Sequence, residues 1–91
     1  MSKINKKIIS DSISKIIESL GDNVNKDGVK DTPSRVAKSY EELLSGYDKD
    51  INKIINNALF KVKYDQIVSV KNISFYSLCE HHLLPFFGTI H

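Results

Sequence analysis

Apolar residues are spaced in two different ways along this 91-residue chain, and the change occurs near Phe60. Before Phe60 they recur every three or four positions, which is typical of helices that bury one face. After it, the segment 67–77 is rich in β-branched and aromatic residues and lacks Gly and Pro, which indicates a strand. We therefore expect an α+β protein in which N-terminal helices are followed by strands.

Two helices and a shorter third one are predicted in the N-terminal part. The first covers about residues 3–20 and is followed by Gly21, a common residue after the last helical turn. The second starts at Thr32-Pro33, because Thr can cap a helix and Pro is tolerated at the first helical position. Asp50 would cap the third. The apolar faces are formed by Ile4, Ile8, Ile9, Ile13, Ile16, Ile17 and Leu20 in the first helix, by Val36, Ala37, Tyr40, Leu43 and Leu44 in the second, and by Ile51, Ile54 and Ile55 in the third.

A hairpin is predicted in the C-terminal part. The strand over 67–77 leads into four residues with reactive or metal-binding side chains. A second strand is expected to begin near Phe86. Those four residues, termed the Cys-Glu-His-His cluster, are Cys79, Glu80, His81 and His82. This order would place the cluster at the turn of the hairpin. We assign residues 1–57 to an N-terminal helical region and residues 58–91 to a second region.

The charge pattern argues against a nucleic-acid surface. The formal net charge is only +2, and the basic residues are spread along the chain among Asp and Glu. Nucleic-acid sites usually cluster their basic residues, often as Arg, whereas Arg35 is the only Arg of this chain. We expect no nucleic-acid partner.

Cys79 is the only cysteine of the chain and cannot form an internal disulfide. A lone cysteine fits a reducing compartment better than a small secreted disulfide scaffold. The first residues are not followed by an apolar run of signal-peptide length, and no stretch approaches the ~20 apolar residues of a membrane span. We therefore expect a cytoplasmic protein with no membrane partner.

The Cys-Glu-His-His cluster is a candidate metal site. Cys79 and His82 are three residues apart, and at a turn this spacing lets a thiolate and an imidazole reach one zinc ion. His81 lies between them and, because neighbouring side chains on extended backbone point to opposite sides, is a candidate for proton transfer near neutral pH. Two ligands do not make a site, so a small buried thiol beside surface histidines stays open as an alternative. His91 is a candidate for a third ligand.

Three separated motifs of the chain resemble GTP cyclohydrolase I, and they occur in the same order as in that family. The resemblance covers nearly the whole chain. The motifs are DTPSRVAKSY at 31–40 with SGY at 45–47, VSVKNI at 68–73, and SLCEHHLLPFFGTIH at 77–91.

The resemblance implies the tunnelling fold (T-fold), in which several subunits build barrels of antiparallel sheet with helices outside and assemble into a homodecamer. It implies hydrolytic opening of the GTP purine ring to 7,8-dihydroneopterin triphosphate and formate, the entry step to tetrahydrofolate or biopterin. By motif position, Cys79 and His82 would be zinc ligands and His81 the catalytic acid/base. Residues 58–91 would be the start of the catalytic domain, and active sites would lie between subunits.

The chain differs from the family in how much of the family's length it covers. The family's second zinc cysteine and the residues that hold the triphosphate and guanine follow the segment present here. We therefore expect an N-terminal half of the enzyme, cut or naturally truncated, with an incomplete sheet and no activity alone. Two alternatives stay open: a non-catalytic remnant of the enzyme, and another tunnelling-fold enzyme that acts on a pterin or a deazapurine.

Overall fold

The structure is a computed structural model that describes residues 4–56, 58–63 and 65–91. In chain order the elements are α1 (Lys6–Ser19), a short 3₁₀ helix (Gly21–Asn23), α2 (Thr32–Leu43), a second 3₁₀ helix (Ser45–Asp48), α3 (Ile51–Asn56), β1 (Ile73–Leu78) and β2 (Pro85–Ile90). The two strands form an antiparallel sheet. Helices followed by an antiparallel strand pair confirm the α+β class.

The chain forms two compact units, Met1–Ser45 and Gly46–His91. The predicted division into 1–57 and 58–91 stays a prediction, and its residues 1–3, 57 and 64 lie outside the described part of the chain. Within the described ranges, no helix combines the length and the apolar character needed to cross a bilayer.

The ends of α1 follow from two local signals. Asn5 caps the first turn, since its Oδ1 accepts the N–H of Ile8 at 3.1 Å. Gly21 follows the last turn with φ of 71°, a left-handed conformation that Gly adopts without strain. The predicted C-terminal cap is therefore confirmed. The predicted start at residue 3 lies outside the described residues, and Ile4 precedes the helix.

The second helix, α2, begins one residue earlier than predicted. Asp31 is its N-cap and Thr32 is already helical, because the Asp31 carbonyl accepts the N–H of Arg35 at 3.1 Å and the first helical turn therefore includes Thr32. The Asp31 side chain makes no capping hydrogen bond; instead the Ser34 hydroxyl donates to the Asp31 carbonyl at 3.0 Å. Pro33 remains in the first turn, where a backbone N–H is not needed.

The core of the first unit lies where α1 packs against α2. Ala37 of α2 is 2% exposed and is the one buried apolar residue among the described residues. An ion pair between Lys6 of α1 and Glu41 of α2, at 3.1 Å, adds a contact whose solvent exposure keeps its contribution small. The rest of the predicted face of α2 is half-buried: Val36, Tyr40, Leu43 and Leu44.

The first strand, β1, is shorter than the strand predicted over 67–77. It begins at Ile73, because Asn72 takes φ of 61° and a left-handed residue interrupts an extended backbone. Residues 67–71 lie outside the ladder. The second strand begins at Pro85, one residue before the predicted start.

The hairpin register places the Cys-Glu-His-His cluster at the turn, as predicted. Ile73 pairs with Ile90 at the open end, and Leu78 pairs with Pro85 next to the turn. Residues 79–84 connect the two strands. The fold therefore holds the cluster immediately beyond the last paired residues of the ladder.

Candidate metal centre

Both backbone polar groups of Cys79 are hydrogen-bonded to the last two residues of the turn, Leu83 and Leu84. Its N–H donates to the Leu84 carbonyl at 2.9 Å, and its carbonyl accepts the N–H of Leu83 at 3.0 Å. These two bonds extend the hairpin past Leu78. The direction of the Cys79 side chain therefore depends on the path of the chain through residues 80–84.

The Cys79 sulfur lies over this loop and accepts two backbone hydrogen bonds. The N–H of His82 donates to Sγ at 3.3 Å, and the N–H of Leu84 donates at 3.4 Å. The Leu84 N–H is the largest cause of a lowered pKa of Cys79; partial desolvation opposes it, and the N–H groups of His82, His81 and Leu83 lower the pKa further. This environment favours the thiolate, which is the form of cysteine that binds metals.

His82 is the nearest imidazole to this sulfur. Its Nδ1 lies 4.0 Å from Cys79 Sγ. Zinc bonds of ~2.3 Å to sulfur and ~2.0–2.1 Å to nitrogen, set at a tetrahedral angle, separate the two ligand atoms by about 3.6 Å. A closure of a few tenths of an ångström would therefore bring both atoms into one coordination sphere, so the two residues fit a zinc ion.

His81 precedes His82 in the turn, and both histidines are exposed. Its ring centroid is 6.3 Å from that of His82, with the two ring planes inclined by 52°. Glu80, the remaining member of the cluster, is also exposed. The structure thus brings Cys79 and His82 together and leaves the His81 imidazole accessible to solvent beside them.

His91 lies at the other end of the hairpin. Its Nδ1 accepts the N–H of Asn72 at 3.0 Å, next to the Ile73–Ile90 pair. The six residues of β2 separate it from the turn by about 20 Å at ~3.4 Å per residue. His91 therefore cannot be the third ligand of the Cys79–His82 pair within this hairpin.

The described residues do not complete a metal site by themselves. Residues 4–56, 58–63 and 65–91 contain no group of three or more His, Cys, Asp or Glu side chains placed to hold an ion. Catalytic zinc sites use three protein ligands and one open position. Cys79 and His82 form at most two thirds of such a set.

Two residues of the turn carry no signal in the sequence. Leu83 adopts φ of 53°, a conformation for which Gly or Asn is the usual choice. Leu84 contacts Cys79 through both backbone groups, since its carbonyl accepts the Cys79 N–H and its N–H donates to Sγ. Residue type does not report backbone groups, so sequence patterns could not have identified either residue.

Comparison with known proteins finds a family whose sequences match most of the chain, including this turn. The family model for GTP cyclohydrolase I matches residues 9–91. The chain is 49% identical over 85 residues to GTP cyclohydrolase 1 of Campylobacter jejuni subsp. jejuni serotype O:6, a match that covers 93% of the chain and 45% of the relative.

Two further relatives give similar values. GTP cyclohydrolase 1 of Hahella chejuensis is 51% identical over 78 residues, covering 86% of the chain and 42% of the relative. GTP cyclohydrolase 1 of Campylobacter lari is 49% identical over 80 residues, covering 88% and 42%. The chain therefore spans somewhat less than half the length of the curated relatives it matches.

Proposed function

The chain belongs to the GTP cyclohydrolase I family, and from this we propose that it supplies the zinc-binding turn of an enzyme that hydrolytically opens the purine ring of GTP. The products would be 7,8-dihydroneopterin triphosphate and formate. The observation that carries the proposal is the 4.0 Å approach of Cys79 Sγ and His82 Nδ1 inside a family match over residues 9–91.

Cys79 and His82 would hold the zinc ion through a thiolate and a neutral imidazole nitrogen. The two N–H groups that donate to Cys79 Sγ support this role, because they stabilise the thiolate before any metal arrives. Bound zinc would supply a Lewis acid for the hydrolysis at neutral pH. The third protein ligand would come from a part of the enzyme outside the described residues.

His81 would serve as the acid/base of the reaction. It is exposed on the same turn, and histidine is the side chain that most often transfers protons in enzymes. One ring nitrogen would donate a proton to the purine ring as it opens and would recover a proton in a later step. The 4.0 Å approach of His82 Nδ1 to Cys79 Sγ supports a division of labour in which His82 binds metal and His81 moves protons.

The surrounding architecture would be the tunnelling fold, with residues 58–91 as the beginning of its catalytic domain. Further strands and neighbouring subunits, in a homodecamer, would cover apolar side chains that are now in water, among them Phe60, Ile67 and Phe87, which are 80%, 97% and 81% exposed. The enzyme would act in the cytoplasm on the route to tetrahydrofolate or biopterin.

A chimera offers a direct test. The present chain is joined to the C-terminal part of the Campylobacter jejuni relative that it does not align with, and the chimera is compared with the chain alone. We expect the chimera to bind about one zinc per subunit, since catalytic sites hold a single ion with three protein ligands, and to release formate and a fluorescent pterin from GTP. The same chimera with Cys79→Ala is the matched control.

The outcomes separate the candidate functions. A chimera that folds and binds zinc but releases neither product from GTP would exclude the proposed reaction. If the chimera instead converts a pterin or a deazapurine substrate, this related tunnelling-fold activity replaces the proposed reaction. A chimera that assembles into oligomers without zinc or turnover would instead indicate a non-catalytic subunit.

A further inference from the structure

Leu83 has an unexpected backbone conformation for its residue type. Among the described non-glycine residues, only Asn72 and Leu83 have positive φ. Asn tolerates this region, whereas a side chain such as that of Leu is disfavoured there by contact with the following carbonyl. The Leu83 side chain is 58% exposed, so burial of the side chain does not account for the conformation.

The consequence of this conformation is seen in the next peptide group. The N–H of Leu83 still follows the helical sense of the turn, because it donates to the Cys79 carbonyl four residues earlier at 3.0 Å. If residue 83 were right-handed, the N–H of residue 84 would continue this pattern and point toward the carbonyl of Glu80, four residues earlier. Instead, the N–H of Leu84 donates to Cys79 Sγ at 3.4 Å, and the Leu84 carbonyl accepts the Cys79 N–H.

We propose that Leu83 is a positioning residue of the metal centre. Its left-handed conformation turns the Leu84 N–H toward Cys79 Sγ and so fixes the sulfur on the side of the turn where His82 lies. Leu83 touches neither metal nor substrate and acts only through Cys79. The inference rests on the proposed function in one respect, namely that the partner of the sulfur is a metal ion.

Three substitutions in the 91-residue chain isolate the backbone conformation from the side chain. Leu83→Val introduces a β-branched residue, which strongly disfavours positive φ. Leu83→Gly removes the side chain and keeps positive φ freely accessible. Leu59→Val is the matched control: it makes the same change as Leu83→Val at a residue outside the turn, which is 75% exposed and does not have positive φ.

The first measurement uses metal-free protein and the amide proton shifts of His82 and Leu84 in two-dimensional NMR. Cys79→Ala provides the reference for amides that have lost the sulfur acceptor. We expect the Leu84 amide of Leu83→Val to move toward its position in Cys79→Ala, while in Leu83→Gly and Leu59→Val it stays close to wild type. A wild-type Leu84 shift in Leu83→Val overturns the proposal, as does loss of that shift in Leu83→Gly.

The second measurement titrates the same variants with Cd²⁺, a thiophilic and diamagnetic substitute for zinc, followed by the thiolate-to-cadmium absorption band. We expect Leu83→Val to weaken binding about tenfold, the lower end of the range for outer-shell partners of a metal, and the other two variants to stay within about twofold. Equal affinity of Leu83→Val and Leu59→Val overturns the positioning role. Absence of the band in wild type, with the amide shifts as expected, would exclude metal binding by the 91-residue chain on its own and leave the placement of the sulfur by Leu83 intact.

Discussion

The ring of Phe75 occupies the space above the backbone of Gly88, its register partner on β2. A Cβ added to Gly88 would lie 2.9 Å from two atoms of that ring, closer than Cβ atoms are found in proteins. The same ring packs edge-on against Phe86, with centroids 6.1 Å apart and planes at 76°. Gly88 is therefore needed because it has no side chain, and the hairpin face is built around Phe75.

Substitution of Gly88 by Ala should weaken the hairpin. The added methyl group displaces the Phe75 ring from its place against Phe86, and a cost of about 1 kcal/mol, the lower end of the range for overpacking, is large for a two-stranded hairpin of marginal stability. We expect faster hydrogen exchange of the β1 and β2 amides. Gly46→Ala is the control, since a Cβ there meets nothing within 4 Å; equal exchange in both variants would show that the Phe75 contact is unimportant. Combining Gly88→Ala with Phe75→Leu should restore part of the protection.

The helical unit should be more strongly protected than the hairpin in the isolated chain. Ala37 is buried where α1 meets α2, whereas none of the described residues in 46–91 is fully buried. Protection against exchange follows buried contacts, so amides of α1 and α2 should exchange more slowly than those of 67–91. Hydrogen exchange followed by mass spectrometry measures this order. Slower exchange in 67–91 would mean that the hairpin is covered by another copy of the chain.

The sequence predicts the types of the elements well because helix and strand differ in the period of their apolar residues. The stripes of α1 and α2 and the β-branched residues of β1 report that period directly. The start of β1 is different, since it depends on Asn72, whose polar side chain tolerates both extended and left-handed backbone. Residues 67–71 have strand composition but lie outside the ladder, and composition cannot show where pairing begins.

The candidate site likewise has a part that the sequence predicts and a part that only the structure shows. Residue types and a three-residue spacing are enough to select Cys79 and His82 as neighbours at a turn. The hydrogen bonds that orient the sulfur come from the backbone N–H groups of His82 and Leu84. Every non-proline residue has such a group, so no residue type marks them, and they become visible only in the folded chain.

Loss of either proposed ligand should remove zinc from the chimera described above. Cys79→Ala deletes the thiolate and His82→Ala deletes the imidazole, and a site left with two protein ligands binds zinc poorly. We expect metal analysis to give well below one zinc per subunit for both variants, and the 91-residue chain alone to bind zinc weakly. His91→Ala is the control, because His91 bonds to Asn72 at the far end of the hairpin. Full zinc occupancy in both ligand variants would refute the assignment.

The Cys79 thiol should react at lower pH in the folded chain than in the unfolded chain. The Leu84 N–H lowers the pKa of Cys79, opposed by partial desolvation, and the thiolate is the species that alkylating agents attack. The pH midpoint of iodoacetamide reaction in metal-free protein should therefore lie below the midpoint in urea. The folded protein keeps its rate as pH falls below the urea midpoint and loses it on passing the lowered pKa. Coinciding midpoints would contradict this, and the single cysteine makes the assignment unambiguous.

The two adjacent histidines should have different phenotypes in the chimera. His82 Nδ1 lies 4.0 Å from Cys79 Sγ, so His82→Ala is expected to lose both zinc and turnover. His81 is exposed, and its ring is displaced from that of His82. His81→Ala should therefore keep about one zinc per subunit and lose a factor of ~10²–10⁴ in turnover, the usual contribution of a general acid–base group. Zinc content and single-turnover opening of the GTP ring are measured on both variants, with Glu80→Ala as a control at an exposed neighbouring position. If His81→Ala loses its zinc as completely as His82→Ala, then both imidazoles bind the metal, and the proton must be supplied by a residue outside this turn.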